Sequence, residues 1–102
     1  MILHHIQTSV MTDNALETCL RYIAKDDSIL LSSDAVNSLL QPKWLERLSS
    51  FHIMVLQDDI VARGLSQRFV LLQAQPHKSV FDIIDYAQFV EQSLLHNKVI
   101  TW

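Results

Sequence analysis

Apolar runs of four to six residues recur along this chain, and between them the hydrophobic period changes from strand-like to helical. The runs are ILHHI (2–6), SILL at the head of SILLSSDAV, HIMVL (52–56), SVFDII (79–84) and KVITW (98–102). The segments between them read as helices. In TDNALETCLRYIAKDD, Leu16, Leu20 and Ile23 share one face, with Glu17, Arg21 and Lys25 opposite. QDDIVARGL (57–65) and DYAQFVEQSLLHN (85–97) read as further helices, and NSLLQPKWLERLSS is helical but restarts at Pro42. Alternation of this kind predicts an α/β domain, a small three-layer arrangement. Its sheet has about five strands, mostly parallel, because parallel neighbours need crossover connections, and helices cover both faces. HIMVL, apolar almost throughout, suits a strand covered on both sides. Residues 66–78 are open: RFVLL fits strand or helix, and QAQPHKS reads as a loop.

The chain has 102 residues and reads as one domain over 1–102. An apolar fraction of 49% and a mean hydropathy of +0.16 are high for that size. Surplus apolar surface predicts a subunit interface. A net charge of −3, with eight scattered Lys and Arg residues, makes a poor footprint for phosphates and disfavours direct nucleic-acid binding. No run approaches the ~18 apolar residues of a membrane span. The N-terminus lacks the pattern of a signal peptide. With one unpaired cysteine, a cytoplasmic location is expected.

Sites in parallel α/β sheets gather beyond the carboxyl ends of the strands. Those ends carry Gln7 to Ser9, Ser32 to Asp34, Gln57 to Asp59, and Asp85 with Tyr86. A phosphate loop needs several glycines, and the only one here, Gly64, is placed to end a helix in the left-handed conformation. Nucleotide cofactors are therefore not expected. The histidines lack metal-ligand spacing, and His4 and His5 point to opposite sheet faces. Asp58 and Asp59 suit a helix start, as Thr12 or Asp13 does for the first helix. Trp102, the last residue, reads as an anchor at an interface.

Cys19 is the only cysteine. On a helical wheel it falls about 60° from Leu16 and about 40° from Ile23, at the edge of the apolar stripe. It reads either as a half-buried apolar filler or as a thiol that does chemistry, with no local group to lower its pKa.

Several segments, taken in order, resemble the TusB/DsrH family of the DsrE-like superfamily: ILHHI, LETCLRY, ILLSSDAV, DDIVARGL, DYAQFVE and KVITW. The resemblance spans Ile2 to Trp102. It implies the smallest subunit of a heterohexameric sulfur-relay complex. The partners it implies are paralogues of the TusC/DsrF and TusD/DsrE kinds, with a TusE/DsrC-like protein accepting the sulfur downstream. The sulfur would serve 2-thiolation of the tRNA wobble uridine or, in the DsrH branch, sulfur oxidation. The family's principal sulfur-carrying cysteine belongs to another subunit, so this chain is not expected to be an enzyme alone. LETCL matches the setting in which DsrH-type members carry a cysteine, which makes Cys19 a candidate accessory carrier. Matched positions read as architectural are His4, Asp34, Asp59, Arg63, Gly64, Asp85, Tyr86 and Trp102. Ala35 stands where the family usually has glycine, and residues 69–79 look longer than the family's connection. Alone, the chain is a candidate homo-oligomer. An unrelated small-molecule-binding α/β domain is the remaining alternative, disfavoured by the lack of glycine loops.

Overall fold

The structure, a computed structural model, describes residues 1–75 and 81–102. Five strands, β1 (Ile2–Ile6), β2 (Ser28–Leu31), β3 (His52–Leu56), β4 (Phe81–Ile84) and β5 (Lys98–Thr101), form one sheet in the order β4-β3-β2-β1-β5. All four pairings are parallel. Helices α1 (Ala15–Tyr22), α2 (Pro42–Arg47), α3 (Gln57–Ala62), α4 (Ser66–Ala74) and α5 (Tyr86–Leu95) connect them, with a 3₁₀ segment at Ser33–Leu40.

That strand order decides which helices lie where. From β1 to β4 the chain steps in one direction across the sheet, so right-handed crossovers put the intervening helices on one face. The return from β4 to β5 runs the other way and puts α5 alone on the opposite face. The two cores agree. Leu16 and Cys19 of α1, Ala35, Val36 and Leu39 of the 3₁₀ segment, Ile60 and Phe69 pack on Ile6, Ile29, Leu31, Ile53 and Val55. On the other face Leu3, Leu30, Met54, Leu56 and Ile84 meet Phe89 of α5. No residue of α5 is fully buried, and Val90, Leu94 and Leu95 are more than half exposed. Part of the surplus apolar surface expected from composition thus lies on α5, and more of it on Val61, Val70 and Leu71 of α3 and α4.

Local signals explain the element ends. Gly64 takes φ +66° after α3 and donates its N–H to Val61 O at 3.0 Å, while Leu65 N–H donates to Ile60 O at 3.0 Å. This pair of bonds closes a Schellman motif. An alanine Cβ at position 64 would meet no atom within 4 Å, so only the backbone conformation resists it. Gly64→Ala is therefore expected to cost about 1 kcal/mol in urea unfolding, the penalty of a left-handed residue. Asp85 and Gln88 form a reciprocal capping box at α5, and Pro42 occupies the first turn of α2. At α1 the expected cap is not made: Asn14 holds the N-cap position without a side-chain bond, and Asp13 instead accepts from Thr8 Oγ1 and Asn14 N. RFVLL is helical, because Phe69 and Leu72, three apart, face the core while Val70 and Leu71 face out. Of the expected loop QAQPHKS, Gln73 and Ala74 instead close α4, whose helix runs on past Leu72, while residues 76–79 and the first residues of SVFDII lie outside the described residues. Among the described residues no helix is long and apolar enough to cross a membrane.

Candidate functional site

Beyond the carboxyl ends of β1, β2 and β3, Asp34, Asp59 and Arg63 form one clasp. Asp59, in the first turn of α3, accepts the Ser33 N–H through Oδ2 at 2.8 Å. Ser33 is the one described non-glycine residue with positive φ, +51°. The left-handed residue of this turn is therefore Ser33, two positions before Ala35, which sits fully buried in the 3₁₀ segment. Arg63 donates through Nε to Asp34 Oδ1 at 3.0 Å, and its Nη1 lies 3.5 Å from Asp59 Oδ1. The guanidinium is thus spent between two carboxylates of this chain and is not poised for an external anion.

The two carboxylates differ in burial, 70% exposed for Asp34 and 18% for Asp59. Asp59→Ala should cost roughly 1.5–3 kcal/mol, since a charged acceptor of a strained backbone N–H is lost. Asp34→Ala, which removes an exposed ion pair, should cost less than about 1 kcal/mol. Chemical denaturation of the two variants checks the ordering.

Next to the clasp, His5 Nε2 lies 2.6 Å from Ser32 Oγ, and Phe89 tilts against its ring at 5.3 Å. Burial lowers the His5 pKa from its ordinary 6.5, partly opposed by the charge of Asp59. Ser32 is itself buried, which leaves this pair no exposed nucleophile. Tyr86 is exposed at the start of α5, beside the capping box of Asp85.

At the opposite end of β1 a second network closes the chain on itself. Asp27, 4% exposed, accepts from Ile2 N at 2.9 Å, Ala24 N at 3.0 Å and His4 Nε2 at 2.9 Å. Trp102 Nε1 donates to His4 Nδ1 at 3.0 Å. Indole N–H can only donate, so His4 Nδ1 accepts and the ring hydrogen sits on Nε2, pointing at Asp27. Trp102 also stacks on His4 at 6.0 Å and on Tyr22 at 6.2 Å. Within this chain, half-buried Trp102 is held by His4 and Tyr22. Asp27 escaped sequence reasoning. Its one signal is position, an acidic residue immediately before a strand whose neighbour carries a histidine.

Cys19 is 0% exposed, enclosed by the first core. It is not the half-buried thiol that the wheel suggests. The 3₁₀ segment and α2 contribute Val36, Leu39 and Trp44 to the same buried cluster. Burial, reinforced by the charge of Asp27, pushes its pKa up from 9.0 to about 12. Both effects favour the neutral thiol over the reactive thiolate in the folded chain.

An all-parallel sheet of five strands with helices on both faces, and a polar clasp at its carboxyl ends, makes this a small three-layer α/β domain. The crystal structure of ychN protein from E. coli has the same fold, with a TM-score of 0.71 over 99% of this chain and 97% of that one at 17% identity. Residues 8–99 match the model of the DsrH like protein family, and the chain belongs to that family. Protein TusB of Yersinia enterocolitica serotype O:8 / biotype 1B is 30% identical over 90 residues, covering 85% of this chain and 86% of that protein. Protein TusB of Yersinia pestis (strain Pestoides F) is 29% identical over the same share.

Proposed function

We propose that this chain is a structural subunit of a cytoplasmic sulfur-relay complex that serves 2-thiolation of the tRNA wobble uridine. The observation that carries the structural role is the sealing of its only thiol, 0% exposed with its pKa raised to about 12. A sulfur carrier needs a thiolate that a donor can reach. Membership of the DsrH-like family and the likeness to proteins named TusB support the relay, and the TusB names favour its tRNA branch over sulfur oxidation. The apolar outer face of α5, with Val90, Leu94 and Leu95 exposed, is suited to a subunit contact. Cys19 then fills the core, and the persulfide travels on partner subunits.

The test is co-expression with two DsrE-like paralogues, followed by sulfur transfer to an acceptor of the TusE/DsrC kind. A complex containing all three chains is expected, and Cys19→Ser should assemble and transfer sulfur at the wild-type rate. Elution of this chain alone would overturn the subunit role. A complex that assembles but loses transfer with Cys19→Ser would overturn the structural one.

A further inference from the structure

β4 ends the sheet, and no strand pairs with its other edge among the described residues. A cleft of about 630 Å³ opens along that edge between α4 and α5. All four residues of β4 line it. Successive strand residues point to opposite faces, so the cleft reaches around the edge to both sides of the strand. An open edge reached from both faces offers unpaired backbone groups together with room for the side chains of an added strand.

The two sides differ in chemistry. Toward α4 the wall is mainly apolar, with Ser66 and Gln73 as its polar members: Phe69 and Phe81 meet edge to face at 5.9 Å, and Val70 is exposed beside them. Toward α5 it is polar and acidic, with Asp82, Glu91 and the amides of Gln88 and Gln92. Among the described residues no Lys or Arg lines the cleft. Its one titratable group able to carry positive charge is His52, whose Nε2 lies 3.1 Å from Asp82 Oδ2. The cleft therefore presents two carboxylates against at most one imidazole.

We propose that the open edge of β4 accepts an extended segment of a protein partner as an added strand. Apolar side chains of that segment face Phe69 and Phe81, and alternating lysine or arginine side chains face Asp82 and Glu91. Backbone pairing supplies the attachment, and the two walls set register, because a slip by one residue would put the basic groups on the phenylalanine side.

The test uses the full chain labelled with ¹⁵N and three capped peptides. One is Val-Lys-Val-Lys-Val, the second is Val-Glu-Val-Glu-Val, and the third repeats the lysine sequence with alternate backbone nitrogens methylated. The lysine peptide is expected to shift the amide signals of Phe81 to Ile84 and to bind about tenfold or more tighter than the glutamate peptide. Asp82→Asn combined with Glu91→Gln, both at exposed positions, should bring the two peptides to comparable affinity while leaving the rest of the spectrum unchanged. Equal binding of the lysine and glutamate peptides to the wild-type chain would overturn the charge assignment. Undiminished binding of the methylated peptide, or shifts confined to other surfaces, would overturn strand addition. Each of these results leaves the subunit role to its own test.

Discussion

Replacing Asp27 with alanine is expected to destabilise the chain by about 3 kcal/mol or more, the usual cost of breaking a buried pair by removing one partner. The carboxylate is 4% exposed and accepts three hydrogen bonds, from Ile2 N, Ala24 N and His4 Nε2. Alanine would leave these donors without their acceptor, the His4 one buried and the two backbone ones part-buried. Each stranded donor costs roughly 1–3 kcal/mol. The network also joins distant parts of the chain. Ile2 begins β1, Ala24 follows α1, and His4 passes the connection on to the C-terminal Trp102. In a domain of this size a loss of about 3 kcal/mol lowers Tm by roughly 10 °C or more. Asp27→Asn, which keeps one acceptor oxygen, should cost less than Asp27→Ala.

Acid supplies a second readout of the same group. Burial by itself would raise the Asp27 pKa, but the hydrogen bonds from His4, Ala24 and Ile2 outweigh it and hold the carboxyl below its ordinary 3.8. The folded value lies below the unfolded one. The stabilisation is therefore complete above about pH 4 and disappears as pH falls through the folded value. Urea unfolding at pH 7 should separate wild type and Asp27→Ala widely, and the gap should narrow as the acid limit is approached. A gap that stayed constant, or one below about 1 kcal/mol at pH 7, would show that the carboxylate does not hold these elements together.

Local features of this chain were legible because they rest on local physics. The apolar runs marked the strands, Gly64 marked the end of α3, and Pro42 marked the start of α2. What was not legible depended on strand order. Nothing in DYAQFVEQSLLHN says that α5 stands alone on its face, since that follows from β4 and β5 lying at opposite edges of the sheet. In sequence Asp27 only closes the helical segment TDNALETCLRYIAKDD, and it is buried because the chain enters β2 beside the first residues of β1. The expected carboxyl-end residues Asp34 and Asp59 do meet, through Arg63, because the turn after β2 and the helix after β3 are neighbours across paired strands. Cys19 shows the limit of a helical wheel. The wheel gives direction relative to its own helix, and the cluster that buries Cys19 draws on residues far along the chain, among them Val36 and Leu39.

In the folded chain Cys19 is expected to react with a soluble alkylating agent roughly a thousandfold more slowly than in urea. The thiolate is the reacting species, and each unit of pKa changes its fraction tenfold. Raising the pKa from 9.0 to about 12 thus accounts for the thousandfold before access is considered. Full burial adds a second barrier, because a reagent reaches the sulfur only when α1 opens from the sheet. Modification should then follow the population of open molecules, speeding up with sub-denaturing urea in proportion to unfolding. The same shift has a stability consequence of opposite sign to that of Asp27. An acid whose folded pKa is raised above its unfolded value loses its contribution as pH climbs between the two, so stability should fall above about pH 9. Cys19→Ala should flatten that alkaline slope at a small cost in packing. Rapid modification of the native chain at neutral pH would mean that the thiol is reachable without unfolding, and the sulfur-carrying role would return to this subunit. Slow, opening-limited modification leaves the carrier thiol to the partners and gives α1 a purely structural reason to keep a small apolar side chain at this position.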